Sequence, residues 1–260
     1  MKKMMLYIDG SPNDRDSLGY AASFHSLFGA TLDVAHLRIP EHNVGSVVRA
    51  IDIAQRAATQ SRQAFLEVCG ALESCHWLDV EEGFDETLRE QGRLHDLTIL
   101  ERISEQEGPE VLALNTALFE SGGPVLVLPP SAPETVAESV VVVWSPTAQS
   151  ARAMRSALPV LKQAKRVCVL TNSETDETKP ESVEAYLESH GVRSECREFS
   201  GARQTARGRG RVIVEALEDL GADFLVMGGY GENRLQSILG LGRTTQKIVS
   251  GSPVPVFLQR

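Results

Sequence analysis

The chain repeats itself. With Ser145 set against Asp9, an offset of 136 residues, an apolar strand runs twice into a short polar turn. Met4-Met5-Leu6-Tyr7-Ile8 leads into Asp9-Gly10-Ser11-Pro12, and Val140-Val141-Val142-Val143-Trp144 leads into Ser145-Pro146-Thr147. Toward the end of each half an aspartate precedes another apolar run, Asp96-Leu97-Thr98-Ile99-Leu100 and Asp223-Phe224-Leu225-Val226-Met227. Each half closes with a Pro-containing strand, Gly123-Pro124-Val125-Leu126-Val127-Leu128 and Pro253-Val254-Pro255-Val256-Phe257-Leu258. A chain of 260 residues built this way is two copies of a unit of roughly 130 residues, not one large fold. The first domain is assigned to 1–137 and the second to 138–260, with the Pro-, Ser- and Glu-rich stretch Pro129 to Glu138 as the linker.

Within each copy strand-like runs alternate with helical periodicity, which predicts right-handed βαβ crossovers and a mainly parallel, five-stranded α/β sheet flanked by helices. In the second copy the expected strands are Val140 to Trp144, Arg166 to Leu170, a weaker run near Arg193 to Phe199, Phe224 to Met227, and Val254 to Leu258. Val212, Ile213, Ala216, Leu217 and Leu220 recur at helical spacing before the fourth strand, and Gly221 is placed to cap that helix. Ligands in such sheets sit at the carboxyl ends of the strands, where the strand order reverses. The ends of the first and fourth strands are therefore where chemistry is expected.

Charge separates the two copies. Residues 1–137 carry 10 Lys+Arg against 21 Asp+Glu, a net of −11, while 138–260 carry 16 against 14, a net of +2. The overall −9 argues against a general nucleic-acid binder, and an anionic ligand is expected in the second half. The longest apolar runs have strand length, far below the roughly 20 residues of a membrane span. Asp9 interrupts the amino-terminal apolar stretch too early for a signal peptide, so a cytoplasmic location is expected. Cys69, Cys75, Cys168 and Cys196 have no framework spacing and read as buried thiols or spectators.

After Met227 come Gly228-Gly229-Tyr230-Gly231, then Glu232 to Leu241, then Gly242-Arg243-Thr244-Thr245. Glycines directly after a parallel strand let backbone N–H groups approach phosphate oxygens, and a helix starting at Thr244 or Thr245 would add its positive end. The pattern Gly-x-x-Gly, a spacer of about nine residues, Gly and a hydroxyl residue, followed by a Pro-Val strand, resembles the nucleotide-binding signature of the universal stress protein family. Ile8-Asp9-Gly10-Ser11-Pro12 is similar to that family's first strand and loop, and the resemblance covers the whole chain as two tandem domains.

The resemblance implies Rossmann-like domains of the adenine nucleotide alpha hydrolase type, related to electron-transfer flavoproteins, with dimerisation through the last strands. In the branch with the glycine signature it implies ATP binding, with a carboxylate after the first strand positioning the adenosine. The first copy keeps Asp9 but has Glu101-Arg102-Ile103-Ser104-Glu105-Gln106-Glu107 in place of the glycine loop, so anions should be repelled there. The second keeps Gly228, Gly231 and Gly242. It departs in its ten-residue spacer, in Arg243 at the hydroxyl position, and in Ser145 where the carboxylate belongs.

The expectation is a non-catalytic stress-response regulator that binds ATP or another adenine nucleotide, with or without Mg2+, in the second domain. Gly228, Gly231, Gly242, Arg243, Thr244 and Thr245 would hold the phosphates, with Met227 and Tyr230 in the same segment, and Ser145 and Thr171 beside the adenosine. Self-association would use Val125 to Leu128 and Val254 to Leu258, within one chain or between two, and an unidentified protein would read the nucleotide state. Alternatives are a ligand-free interaction scaffold and a slow ATP hydrolase using Glu232.

Other candidates read as structural. The six histidines form no ligand-spaced pair, there is no G-x-S-x-G or Walker-type sequence, and neither a catalytic residue nor a metal site is expected. Asp14-Arg15-Asp16 and Glu81-Glu82 read as solvated faces, and Arg203 to Arg211 as a basic loop that closes over phosphate or simply meets solvent.

Overall fold

The computed structural model describes residues 1–37, 47–80, 84–102, 109–131, 133–172, 180–199, 206–229 and 243–260. The chain divides into two compact units, Met1–Ala132 and Pro133–Arg260, and the division falls inside the stretch Pro129 to Glu138. The first unit contains strands β1 (Lys3–Ile8), β2 (Thr31–His36), β3 (Cys75–Leu78), β4 (Leu97–Glu101) and β5 (Val125–Leu128). Its helices are α1 (Asp14–Phe28), α2 (Val47–Val68), α3 (Phe84–Arg93) and α4 (Pro109–Glu120). The second contains β6 (Ser139–Val143), β7 (Arg166–Asn172), β8 (Glu195–Phe199), β9 (Phe224–Gly228) and β10 (Val256–Gln259). Its described helices are α5 (Ala148–Leu161), α6 (Pro180–Ser189), α7 (Ala206–Asp219) and α8 (Arg243–Gly251).

Both units order their strands alike and every pair within each is parallel: β3-β2-β1-β4-β5 in the first and β8-β7-β6-β9-β10 in the second. The registers superpose as well. Leu6 lies opposite Ile99, and Val142, its counterpart in the repeat, lies opposite Val226. The order reverses between the first and fourth strands, so β1/β4 and β6/β9 are the switch points where a crevice opens. Past their first residues β1, β6 and β9 are almost wholly apolar, as a sheet covered on both faces requires.

An aspartate closes the amino end of each switch point, exposed in the first unit and buried in the second. Asp96 Oδ2 accepts the backbone N–H of Lys2 at 2.5 Å and of Lys3 at 3.1 Å. Asp223 does the same in the second unit, its two oxygens accepting Glu138 N–H at 2.9 Å and Ser139 N–H at 2.8 Å. The aspartate that leads each fourth strand is thus a clamp on the first strand, which explains its place in the repeat.

One reading changes. Residues 206–219 form α7, so the carboxyl part of the proposed basic loop, including Arg207, Arg209 and Arg211, is helix. A Cβ on Gly210 would stand 2.9 Å from Lys247 Cβ and 3.3 Å from the Thr244 carbonyl oxygen, so the glycine permits close packing of α7 on α8 and does not mark a loop. Further along α7, Ile213, Leu217 and Leu220 face inward and Gly221 ends the helix with a φ of 56°. Among the described residues no helix is long and apolar enough to cross a membrane.

Candidate functional site

The carboxyl ends of the two switch points are copies of one frame with different side chains. In the second unit, Ser145 follows β6 and Ser150 lies in the first turn of α5. Ser145 N–H donates to Ser150 Oγ at 3.2 Å, and Ser150 Oγ donates to the Val143 carbonyl at 3.3 Å. Thr147 caps α5 by accepting the Ser150 N–H at 3.2 Å, and that first turn has no acidic residue. The positive end of a 14-residue helix thus meets the switch point without a compensating carboxylate.

Gly228 ends β9 at the same place. A Cβ there would stand 2.6 Å from Ser150 N and 2.8 Å from Gln149 C, so only glycine admits the first turn of α5. Its role in the sequence motif was approach to a phosphate. The structure adds that its glycine identity is already required by packing inside the protein.

Among the described residues, four buried polar atoms on segments at this edge have no hydrogen-bond partner: Trp144 Nε1 just after β6, Gln149 Oε1 in α5, Thr171 Oγ1 near the end of β7, and Gln259 Oε1 at the end of β10. Thr171 is 1% exposed. Native proteins leave few such atoms, because each forfeits the hydrogen bonds it would make to water. Trp144, Gln149, Ser150 and Gln259 were not among the expected site residues. Ser150 was within reach, since adding the repeat offset to Asp14 lands on it; nothing local in the sequence marks the other three.

Of the expected site residues, Ser145, Thr171, Met227 and Gly228 lie along the carboxyl ends of β6, β7 and β9. Arg243 opens α8, and Thr244 and Thr245 follow it; Thr245 is buried and Thr244 partly so. Tyr230, Gly231 and Gly242 lie outside the described residues, as do Glu232, Arg203 and the Glu105/Glu107 pair.

In the first unit the same frame carries acids. Asp9, Asp14 and Glu101 occupy the places of Ser145, Ser150 and Gly228, and one oxygen from each lies within 4.8 Å of the other two. Asp14 accepts the N–H of Asp9 at 3.3 Å and of Gly10 at 3.1 Å, repeating the Ser145–Ser150 bond with a carboxylate. Asp14 was expected on a solvated face; it is buried, because α1 turns its first residue toward the switch point and α2 covers it. Ser61 of α2 donates to Asp14 Oδ2 at 2.9 Å, and His36 Nδ1 lies 2.9 Å from Ser61 Oγ. Gly10, at a φ of 89°, passes so close under α2 that a Cβ would stand 2.7 Å from Ala57 Cα.

Burial pushes the Glu101 carboxyl up to about 7; the charges of Asp9 and Asp14 add to the rise, and hydroxyl hydrogen bonds from Ser17 and Ser11 oppose it. Burial likewise raises Asp14 against its bond from Ser61. Ser11 Oγ donates to Glu101 Oε2 at 3.0 Å, whereas Oε1 is buried without a partner. A cavity of about 40 Å³ adjoins Asp9 and Glu101, its other walls including Leu37, Leu100, Ala113, Leu114 and Val127.

The histidines hold structure. His95 Nε2 and His76 Nδ1 approach opposite oxygens of buried Asp33 at 3.0 and 3.1 Å, and Lys3 Nζ lies 3.0 Å away. Burial alone would raise the Asp33 carboxyl, but hydrogen bonds from His95, Lys3 and His76 hold it below its ordinary value. His42 lies outside the described residues.

Residues 125–260, just over half the chain, match the description "Universal stress protein family". A search of curated protein sequences finds no match. Among solved structures, a universal stress protein from Archaeoglobus fulgidus is similar over 99% of this chain and 96% of its own, with 18% identity and a TM-score of 0.76. A putative universal stress protein from Pseudomonas aeruginosa covers 100% of this chain and 93% of its own at 15% identity and a TM-score of 0.58. At these identities the likeness concerns the fold. The matched sequence, the duplicated α/β frame and the paired switch points together make this chain a member of the universal stress protein family.

Proposed function

We propose that the second unit binds an adenine nucleotide, ATP in the first instance, at the carboxyl edge between β6 and β9, and that it works as a non-catalytic stress-response regulator. The observation that carries this reading is the set of unpartnered buried polar atoms on Trp144, Gln149, Thr171 and Gln259. A base and ribose would supply the missing partners, and their burial cost would be recovered on binding. The phosphates would gain from the uncompensated start of α5, and from Ser145, Ser150 and Gly228 standing where the first unit has three acids. The motif residues Gly231, Gly242, Arg243 and Thr244 extend the reading from sequence. The protein would act in the cytoplasm and self-associate through β5 and β10, each the last strand of its own unit, and a partner would read the loaded state.

Calorimetric titration of ATP, with and without magnesium, into the full chain tests this. Wild type is expected to bind one nucleotide per chain. Thr171→Val, which keeps the shape and removes the unpartnered hydroxyl, should weaken binding about tenfold, the worth of one hydrogen bond. Gly231→Glu, which imitates the acidic copy, should abolish it. No heat of binding and no shift in melting temperature at millimolar ATP would overturn the reading. Steady phosphate release would overturn its non-catalytic part.

A further inference from the structure

We propose that the first unit is a proton-operated latch: the Asp9, Asp14 and Glu101 cluster holds a shared proton while α2 and the β1–α1 loop are closed upon it, and loss of that proton releases them. This goes beyond the nucleotide reading, which concerns the other unit.

The geometry makes the proton necessary. Three carboxylates with oxygens inside 4.8 Å repel one another when all are charged, and with Asp14 buried and Asp9 and Glu101 half-buried, water screens them only in part. Asp14 has more donors, two backbone N–H groups and Ser61, which offset part of the rise that burial imposes on its carboxyl. Asp9 Oδ1 accepts the Ser11 N–H at 2.9 Å. Glu101 is served less well: the Ser11 and Ser17 hydroxyls reach it, but its Oε1 is buried without a hydrogen-bond partner beside a largely apolar cavity. The cluster therefore carries less than its full charge in the closed state, with a carboxyl pushed up to about 7.

The groups that bear on Glu101 can be named among the described residues. Asp9 comes from the loop, Asp14 from α1, Arg102 from the next position in the chain, and Tyr7 from β1. His36 at the end of β2 reaches the cluster through Ser61 of α2, while the cavity walls from α4 and β5, Ala113, Leu114 and Val127, are apolar. Arg15, the other cation on this loop side, is held by Glu67 at 2.6 Å. A groove of about 620 Å³ between the loop and α2 reaches Asp14 and gives protons a route.

The moving parts are tied to the same carboxylates. Asp14 bonds the β1–α1 loop through Asp9 and Gly10 and bonds α2 through Ser61, and Gly10 packs against Ala57 of α2. Repulsion inside the cluster therefore strains the contacts that hold α2 down. The second unit, with Ser145, Ser150 and Gly228 at the matching places, has no such charge to release.

Amide hydrogen exchange of the full chain, followed from pH 5 to 8 and divided by the intrinsic rate, tests the latch. Protection of the Asp9, Gly10 and Ser11 amides and of α2 should fall by roughly tenfold per pH unit as pH rises, then level off near 7, the signature of opening linked to one proton. Glu101→Gln, a neutral shape mimic, should stay protected across the range. Asp9→Asn should fall in the same way but level off at lower pH, because one repelling charge is gone. Protection that does not change with pH in wild type, or an unaltered profile in Asp9→Asn, would overturn the proposal. So would protection regained above pH 7 by adding magnesium or calcium alone, which would make the cluster a cation site.

Discussion

Glu101 and Gly228 occupy the same position in two copies of one frame, and each is fitted to its neighbours. A Cβ on Gly228 would enter the first turn of α5, so Gly228→Ala should destabilise the second unit by about 1–3 kcal/mol, the usual cost of overpacking. Urea unfolding followed by the fluorescence of Trp144 reads this directly. Asp33 supplies the converse case, a charge whose partners are all in place. Its carboxyl is held below the usual value, so its contribution is fully present above about pH 4 and fades as pH falls. Asp33→Asn should cost on the order of 1–2 kcal/mol at pH 7 and progressively less as pH falls below about 4, as read by thermal unfolding across that range.

At the scale of elements, much of the architecture was legible. Met4 to Ile8 and Val125 to Leu128 read as strands because apolar runs of that length between turn residues leave little choice, and the structure has β1 and β5 there. The repeat offset placed both switch points. Asp14 was not legible, because its burial depends on Ser61 and Glu101, which lie 47 and 87 positions along the chain, while its immediate neighbours Arg15 and Asp16 look like surface. The Arg-Gly run before β9 misled for a different reason: Gly210, which signals a turn in isolation, here lets α7 approach α8. Thr147 gives a prediction of its own. It caps α5 through the Ser150 N–H, so Thr147→Ala should cost about 1 kcal/mol and fray the helix start that the nucleotide reading relies on, visible as faster amide exchange at residues 148–150.

For the molecule as a whole, the two units should answer pH differently. Glu101 has a folded value of about 7 against an ordinary 4.5, so the folded first unit binds the extra proton and its stability declines as pH rises from about 4.5 to 7. Glu101→Gln should therefore stabilise that unit by on the order of 2 kcal/mol at pH 8 and by almost nothing at pH 4. Scanning calorimetry of the full chain would show a transition that moves with pH and with this variant, beside a second that moves with neither. The charge balance points the same way, since residues 1–137 carry nearly all the excess acid.

The aspartates at the opposite edge bear on how the protein is made. Asp96 holds residues 93 and 94 positions behind it, and Asp223 holds residues 84 and 85 behind. Each first strand leaves the ribosome without the carboxylate that will fasten its start. At about 5–20 residues per second it waits several seconds before that carboxylate emerges. Nascent chains cut just short of Asp96 or Asp223 would present an apolar strand with open amides, the form most open to chaperones and to pairing with the wrong neighbour.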